Sequence, residues 1–180
     1  MTNNQTKDYT LSPDEKSAAL IIYLNDAIII GDAILKESIN YVSTWLRTNA
    51  APENIYLRKA KMIYIAADSK PKAMRFDEVF VKASDILAYH LLPPATEPLD
   101  YDPDEPNRRM VPISVMFGKC RVDGKTRISQ QVEVKKALEI SREEFKSIYD
   151  ANVYSPIMPS LGVVNVPMLL IRQSKAIFAE

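Results

Sequence analysis

Glycine is scarce in this chain, with four in 180 residues. Gly31, Gly118, Gly124 and Gly162 lie scattered, so neither a phosphate loop nor a dinucleotide-binding fingerprint can be assembled from them. Cysteine is scarcer still. Cys120 stands alone, which excludes an intrachain disulfide and fits a reducing compartment. His90 is the only histidine, so no His-based metal cluster and no Ser-His-Asp triad can be built. Long apolar runs are missing as well. Residues 18–24 form one of the longest, far short of the roughly 20 residues a membrane-spanning helix needs. The opening MTNNQTKDYT has no basic-then-apolar signal pattern. Net charge is absent too, since Lys plus Arg and Asp plus Glu are 23 each. Without a global field, nothing draws the chain as a whole to nucleic acid or anionic lipid. The expectation is a cytoplasmic protein with no transmembrane segment, no catalytic constellation, no cofactor and no bound metal.

Proline is what the chain does have, and unevenly. Residues 91–109, LLPPATEPLDYDPDEPNRR, hold five of the twelve prolines and five acidic residues. Proline fixes φ and pushes its predecessor into an extended state, so this segment reads as a stiff connector. Its carboxylates, Asp100, Asp102, Asp104 and Glu105, should be solvated, and their spacing lacks the glycine and terminal Glu of a calcium loop. The connector divides the chain into a flexible leader over residues 1–16, a first unit over 17–90, the acidic linker over 91–109 and a second unit over 110–180.

In the first unit, residues 18–24 and 27–31 are rich in β-branched and aromatic side chains, and Asn25-Asp26 between them suggests a hairpin. Leu35, Ile39, Val42 and Leu46 recur at helical spacing, with Trp45 beside them as a core anchor. Strands follow over residues 55–57 and 62–65, and from Phe76 onwards. In the second unit, residues 111–122 read as strand, and Asp123-Gly124 carries a strong hairpin signal. Val134, Leu138, Phe145 and Ile148 permit one broken helix over residues 135–150. Ser141 with Glu144 has the spacing of a capping box that would start a second helix, so one helix and two fit equally. Residues 152–154 and 163–171 complete the unit as strands, with Pro167 marking an edge or a bulge. The expected fold class is α+β: two small β-rich units, each strand-strand-helix-strand-strand, as tandem repeats packed into a pseudo-dimer.

Short matches support the duplication. Residues 80–84, FVKAS, resemble residues 170–174, LIRQS, and Gly31 and Gly124 precede the helical segments in comparable places. Through Val42-Ser43-Thr44-Trp45-Leu46-Arg47, Ile55-Tyr56-Leu57, Ala60 and Phe80-Val81, the first unit resembles a small uncharacterised bacterial α+β domain family. Thr44 and Arg47 depart from the Asp and Asn of that pattern. The resemblance covers about seventy residues, implies a hairpin-helix-strand fold, and brings no established activity.

Two groups of cations are candidate contact residues for a ligand or nucleic acid. Arg58, Lys59 and Lys61 lie among Tyr56 and Tyr64, an arrangement that can stack bases and hold phosphates. A solvated strand edge has the same composition, because lysine there blocks edge-to-edge aggregation, and the zero net charge favours that reading. Arg108 and Arg109, ahead of Val111-Pro112-Ile113-Ser114, resemble the opening of a PilZ-type cyclic-dinucleotide domain, although the downstream Asp-x-Ser-x-x-Gly is missing. The leading expectation is a non-enzymatic interaction module, an accessory or scaffolding subunit of a larger assembly. A unit of about seventy residues buries too little surface to be comfortable alone, so a protein partner or a homo-oligomer is implied.

Overall fold

A computed structural model of the chain describes residues 9–48, 51–66, 70–155 and 159–180. Ten strands follow one another: β1 (Glu15–Tyr23), β2 (Ala27–Lys36), β3 (Asn54–Ile65), β4 (Pro71–Lys82), β5 (Ala88–Leu91), β6 (Arg108–Phe117), β7 (Cys120–Ser129), β8 (Phe145–Tyr154), β9 (Val164–Arg172) and β10 (Ala176–Ala179). They form a single antiparallel sheet in the order β10-β6-β7-β8-β9-β5-β1-β2-β3-β4. The α+β expectation is therefore overturned, because helix is nearly absent from the described residues. What stands in its place is one α-helix, α1 (Val134–Ile140), and four 3-10 turns, the longest being Val42–Arg47.

Tertiary pairing overrode the helical spacing in both halves. Leu35 belongs to β2, where burial alternates along the strand, and reaches the same core as Val42, Trp45 and Leu46 from the sheet rather than from a helix. A six-residue 3-10 turn is too short to be stable alone and is held by what it packs against. Trp45 does anchor it, at 4 % exposure. Phe145 and Ile148 lie in β8, not in a helix. No capping box forms, since Glu144 pairs instead with Arg172. The flexible leader expected over residues 1–16 falls outside the described residues up to residue 8. Beyond that, the Tyr9 ring packs against Tyr56 and under the Arg58 guanidinium, and Glu15 already belongs to β1.

Each half traces the same path. Its first four strands meander, a 3-10 turn follows (Ala83–Asp85 or Gln173–Lys175), and the fifth strand returns beside the first. In each half the register shifts in the second strand, at Gly31 and at Gly124. Facing those glycines, Lys59 and Asp150 adopt a φ of 48°, the left-handed conformation of a bulge that bends the strand. Asp123-Gly124 is accordingly no turn. The chain reverses at Gly118-Lys119, with Gly118 at φ 51°. Gly124 is glycine because a Cβ there would lie 2.7 Å from both the Tyr149 carbonyl oxygen and Ile148 Cγ2. Gly124→Ala should cost about 1–3 kcal/mol through overpacking against backbone that cannot yield, read as a lowered urea midpoint. An unchanged midpoint would show that β8 moves freely at this bulge.

The halves meet where β5 pairs with β9, Ala88 opposite Ile171 and Tyr89 opposite Leu170. Arg172 completes this joint. Its backbone N–H donates to the Leu87 carbonyl at 2.7 Å, and its buried guanidinium donates to the Ile86 and Ala83 carbonyls at 2.7 and 2.5 Å. Two apolar cores lie on the sheet, and both draw on both halves. One combines Ile21, Tyr23, Ile28 and Ile63 with Val115, Phe117 and Leu169; the other combines Leu20, Trp45 and Tyr89 with Phe145 and Leu170.

Candidate functional site

Residues 92–107 carry no regular structure, yet their carboxylates are not simply solvated. Glu97 accepts the backbone N–H groups of Val42 and Ser43 at 3.0 and 2.8 Å, which satisfies the otherwise orphaned donors at the start of the 3-10 turn. Asp100 is enclosed by both halves. One carboxylate oxygen pairs with the Arg47 guanidinium at 2.6 Å and accepts the Ser147 hydroxyl at 2.7 Å; the other accepts the Tyr149 hydroxyl at 2.6 Å. Burial pushes the Asp100 carboxyl up, but the bonds from Tyr149, Ser147 and Arg47 outweigh it and hold the group below its ordinary value. Farther along, Glu105 pairs with Arg127 at 2.6 Å and Arg108 at 3.1 Å. The Arg127 guanidinium lies over the Tyr101 ring at 4.6 Å, and Tyr101 meets Tyr149 edge to face.

Between this segment and the sheet lies a polar cavity of about 230 Å³. Arg47, Asp100, Tyr101, Arg108, Thr126, Arg127, Glu143, Lys146, Ser147 and Tyr149 line it. Four of these are cations and two are carboxylates, so its wall is net positive. Three donors remain unused there among the described residues. Thr126 is 1 % exposed and its hydroxyl has no partner, and the buried Nε of Arg47 has none either. Lys146 is half-buried and makes no ion pair among the described residues. Desolvation lowers its pKa, and the nearby Arg47 and Arg108 push the same way, while Glu143 and Asp100 oppose them.

Sequence reasoning placed only Arg108 at this cavity. Arg109 points elsewhere and donates to the Val132 carbonyl at 3.3 Å, so the two arginines do not form one clamp. Arg58, Lys59 and Lys61 all stand on β3, in the other half. Arg58 packs on Tyr9 and approaches Glu78 at 3.9 Å, Lys59 occupies the bulge, and Lys61 is exposed opposite Arg75. Arg47, Thr126, Lys146 and Tyr149 went unseen because three separate elements contribute them, the first 3-10 turn, β7 and β8. A signal did exist: Thr126 and Ser147 are polar residues at positions where strand alternation puts the core.

Elsewhere, the buried His90 ring donates through Nδ1 to the Leu91 carbonyl at 2.7 Å and accepts the Tyr23 hydroxyl at Nε2, 3.0 Å away. Burial drops its pKa to about 4, and burial likewise pushes the Cys120 thiol up to about 11. No group of three or more His, Cys, Asp or Glu side chains suited to a metal occurs among the described residues. No helix among them is long and apolar enough to cross a membrane.

The two outer edges of the sheet are the other exposed feature. On β4, Phe80 is 69 % exposed; on β10, Ile177 is 71 % exposed. Their counterparts at the internal joint are buried. Leu170 stands three residues before its 3-10 turn, as Phe80 does, and is 1 % exposed. Leu87 stands two residues after its turn, as Ile177 does, and is 7 % exposed. No family model matches the chain, and no curated protein or solved structure matches it.

Proposed function

We propose that the chain is a non-enzymatic assembly module, a scaffolding subunit whose copies join head to tail by pairing β10 of one with β4 of the next. The observation that carries this reading is the match between the internal joint and the free edges. At β5 and β9, a fifth strand pairs with the fourth strand of the other half, and apolar side chains at set distances from the 3-10 turns become buried. At β10 and β4 the same two kinds of strand lie open, with apolar side chains at those distances exposed. An unpaired edge presents a row of N–H and C=O groups that a strand of suitable shape completes.

The chemistry of the joint carries across. Arg172, the last residue of β9, bonds two carbonyls around the opposing turn. Lys82, the last residue of β4, occupies the same place and is exposed. It can donate to the corresponding carbonyls of Gln173 and Ala176 in the next copy. The basic residues Lys72 and Arg75 fall in the first part of β4, away from Phe80, and there they discourage unregistered strand addition. Because the joining surfaces differ, the contact is heterologous and closes into a ring if the rotation per copy permits. A cytoplasmic setting belongs to the same reading, supported by the single buried Cys120.

Native mass spectrometry tests this reading. The wild-type chain should give a closed ring or an open series of oligomers, and the double variant Phe80→Lys, Ile177→Lys should give monomer with an unchanged circular dichroism spectrum. A monomeric wild-type chain at micromolar concentration, or an oligomer indifferent to both lysines, would overturn it.

A further inference from the structure

The polar cavity is independent of the sheet edges and points to a second role. We propose that it binds a small phosphate-bearing molecule, with the phosphate held by Lys146, Thr126 and Arg47. Buried polar groups in folded proteins nearly always have partners, and each exception calls for an explanation. Here two exceptions, the Thr126 hydroxyl and the Arg47 Nε, line one cavity. The same wall holds Lys146, a half-buried cation without an ion pair among the described residues, with Glu143 and Asp100 as well as Arg47 and Arg108 in its surroundings. An ammonium, a guanidinium N–H and a hydroxyl are the donors a phosphate group accepts. An anion would also suit a wall that stays net positive, four cations against Asp100, Glu143 and the Glu105 that pairs with Arg108 and Arg127.

Arg127 and Arg108 contribute to the field rather than to direct contact. Glu105 already occupies both of them, and the Tyr101 ring covers the Arg127 guanidinium. The positions of the lining residues also indicate where the rest of the ligand would go. A second cavity, of about 280 Å³, shares Arg108, Arg127, Glu143 and Lys146 with the first and continues over Ile128, Val132, Ala137 and Ile140. Ile140 is 59 % exposed at the end of α1. A phosphate at the shared cationic wall would leave an organic body lying against this apolar surface. That arrangement fits a phosphate monoester with a flat or apolar body better than a bare inorganic ion.

Isothermal titration of the full chain with inorganic phosphate, adenosine monophosphate and adenosine tests the assignment. Both phosphate probes should bind, the monoester more tightly, and adenosine should bind at least about tenfold more weakly than its monophosphate. Lys146→Met keeps the aliphatic stem and should weaken both phosphate probes about tenfold, as expected for the loss of one charge-assisted bond. Thr126→Val serves as the control for folding. It removes a hydroxyl that has no partner in the free protein, so it should leave the melting temperature unchanged or raised while still weakening the phosphate probes. Failure of both phosphate probes to bind at millimolar concentration would overturn the proposal. So would affinities unchanged in both variants, or adenosine binding as tightly as its monophosphate. None of these results touches the oligomer measurement, so this site and the assembly reading stand or fall separately.

Discussion

Replacing Asp100 with alanine should destabilise the protein by about 3–5 kcal/mol, the usual cost of removing one partner from an enclosed ion pair. The carboxylate binds the Arg47 guanidinium, the Ser147 hydroxyl and the Tyr149 hydroxyl at once, and Arg47 also donates to the Ser147 hydroxyl oxygen. Its removal takes the counter-ion from Arg47 and the acceptor from both hydroxyls in a partly buried space; Ser147 still accepts from Arg47, but the freed donors must find water or stay unpaired. The damage would also cross the molecule. Arg47 ends the 3-10 turn of the first half, Ser147 and Tyr149 belong to β8 of the second, and Asp100 sits on the segment between them. Asp100→Asn keeps the shape and some hydrogen bonds but loses the charge, so it should fall between alanine and wild type. Urea unfolding of the three proteins checks the order. A loss below about 1 kcal/mol for alanine, the range of exposed pairs, would mean that solvent already supports these groups.

Acid should destabilise the protein well above the range in which ordinary carboxylates titrate, and His90 is the reason. In the folded protein its pKa is lowered from 6.5 to about 4 by burial, because the charged ring cannot be hydrated there. Protonation would also cost the bond in which Nε2 accepts the Tyr23 hydroxyl. A histidine with a depressed folded pKa contributes stability that is fully present above its unfolded value and is lost as pH falls through the folded one. The window therefore runs from about 6.5 down to about 4. At about 1.4 kcal/mol per pKa unit, the loss across it is roughly 3 kcal/mol. Asp100, also lowered in the fold, adds to the decline below the ordinary carboxylate range. Stability measured between pH 7 and 4 should fall steadily for wild type and stay nearly flat for His90→Phe, whatever that variant's absolute stability. Equal slopes for the two would show that the ring is hydrated or mobile.

The strands were the most legible part of the chain. Runs such as residues 20–23 and 168–171 are apolar and buried on either parity, and a sheet interior accommodates them. Helical spacing misled because Leu35, Val42 and Leu46 do share one core, but they reach it from a strand and a turn. Asp123-Gly124 misled for a related reason. Glycine answers equally to a turn and to close approach of backbone, and here the carbonyl of Tyr149 decides. Residues 92–107 of the proline-rich segment carry no regular structure, while Leu91, Arg108 and Arg109 belong to strands, and proline's stiffness says nothing of side chains. The fastening of Glu97 to the first 3-10 turn and of Asp100 to Arg47 depends on contacts across more than fifty positions of chain. The cavity is hidden in the same way, since Arg47, Thr126 and Lys146 become neighbours only when the segment folds across the sheet.

Head-to-tail pairing of the outer edges is the central claim, and a cysteine cross-link tests it most directly. At the internal joint Leu170 stands opposite Tyr89, and the equivalent positions on the free edges are Phe80 and Ala179. Phe80→Cys and Ala179→Cys, prepared as separate chains and mixed under mild oxidation, should form a disulfide between unlike chains. Neither chain alone should do so, because the native Cys120 is buried. Cross-linking of Phe80→Cys to itself, or no cross-link in the mixture at concentrations where the wild-type chain is oligomeric, would contradict the account.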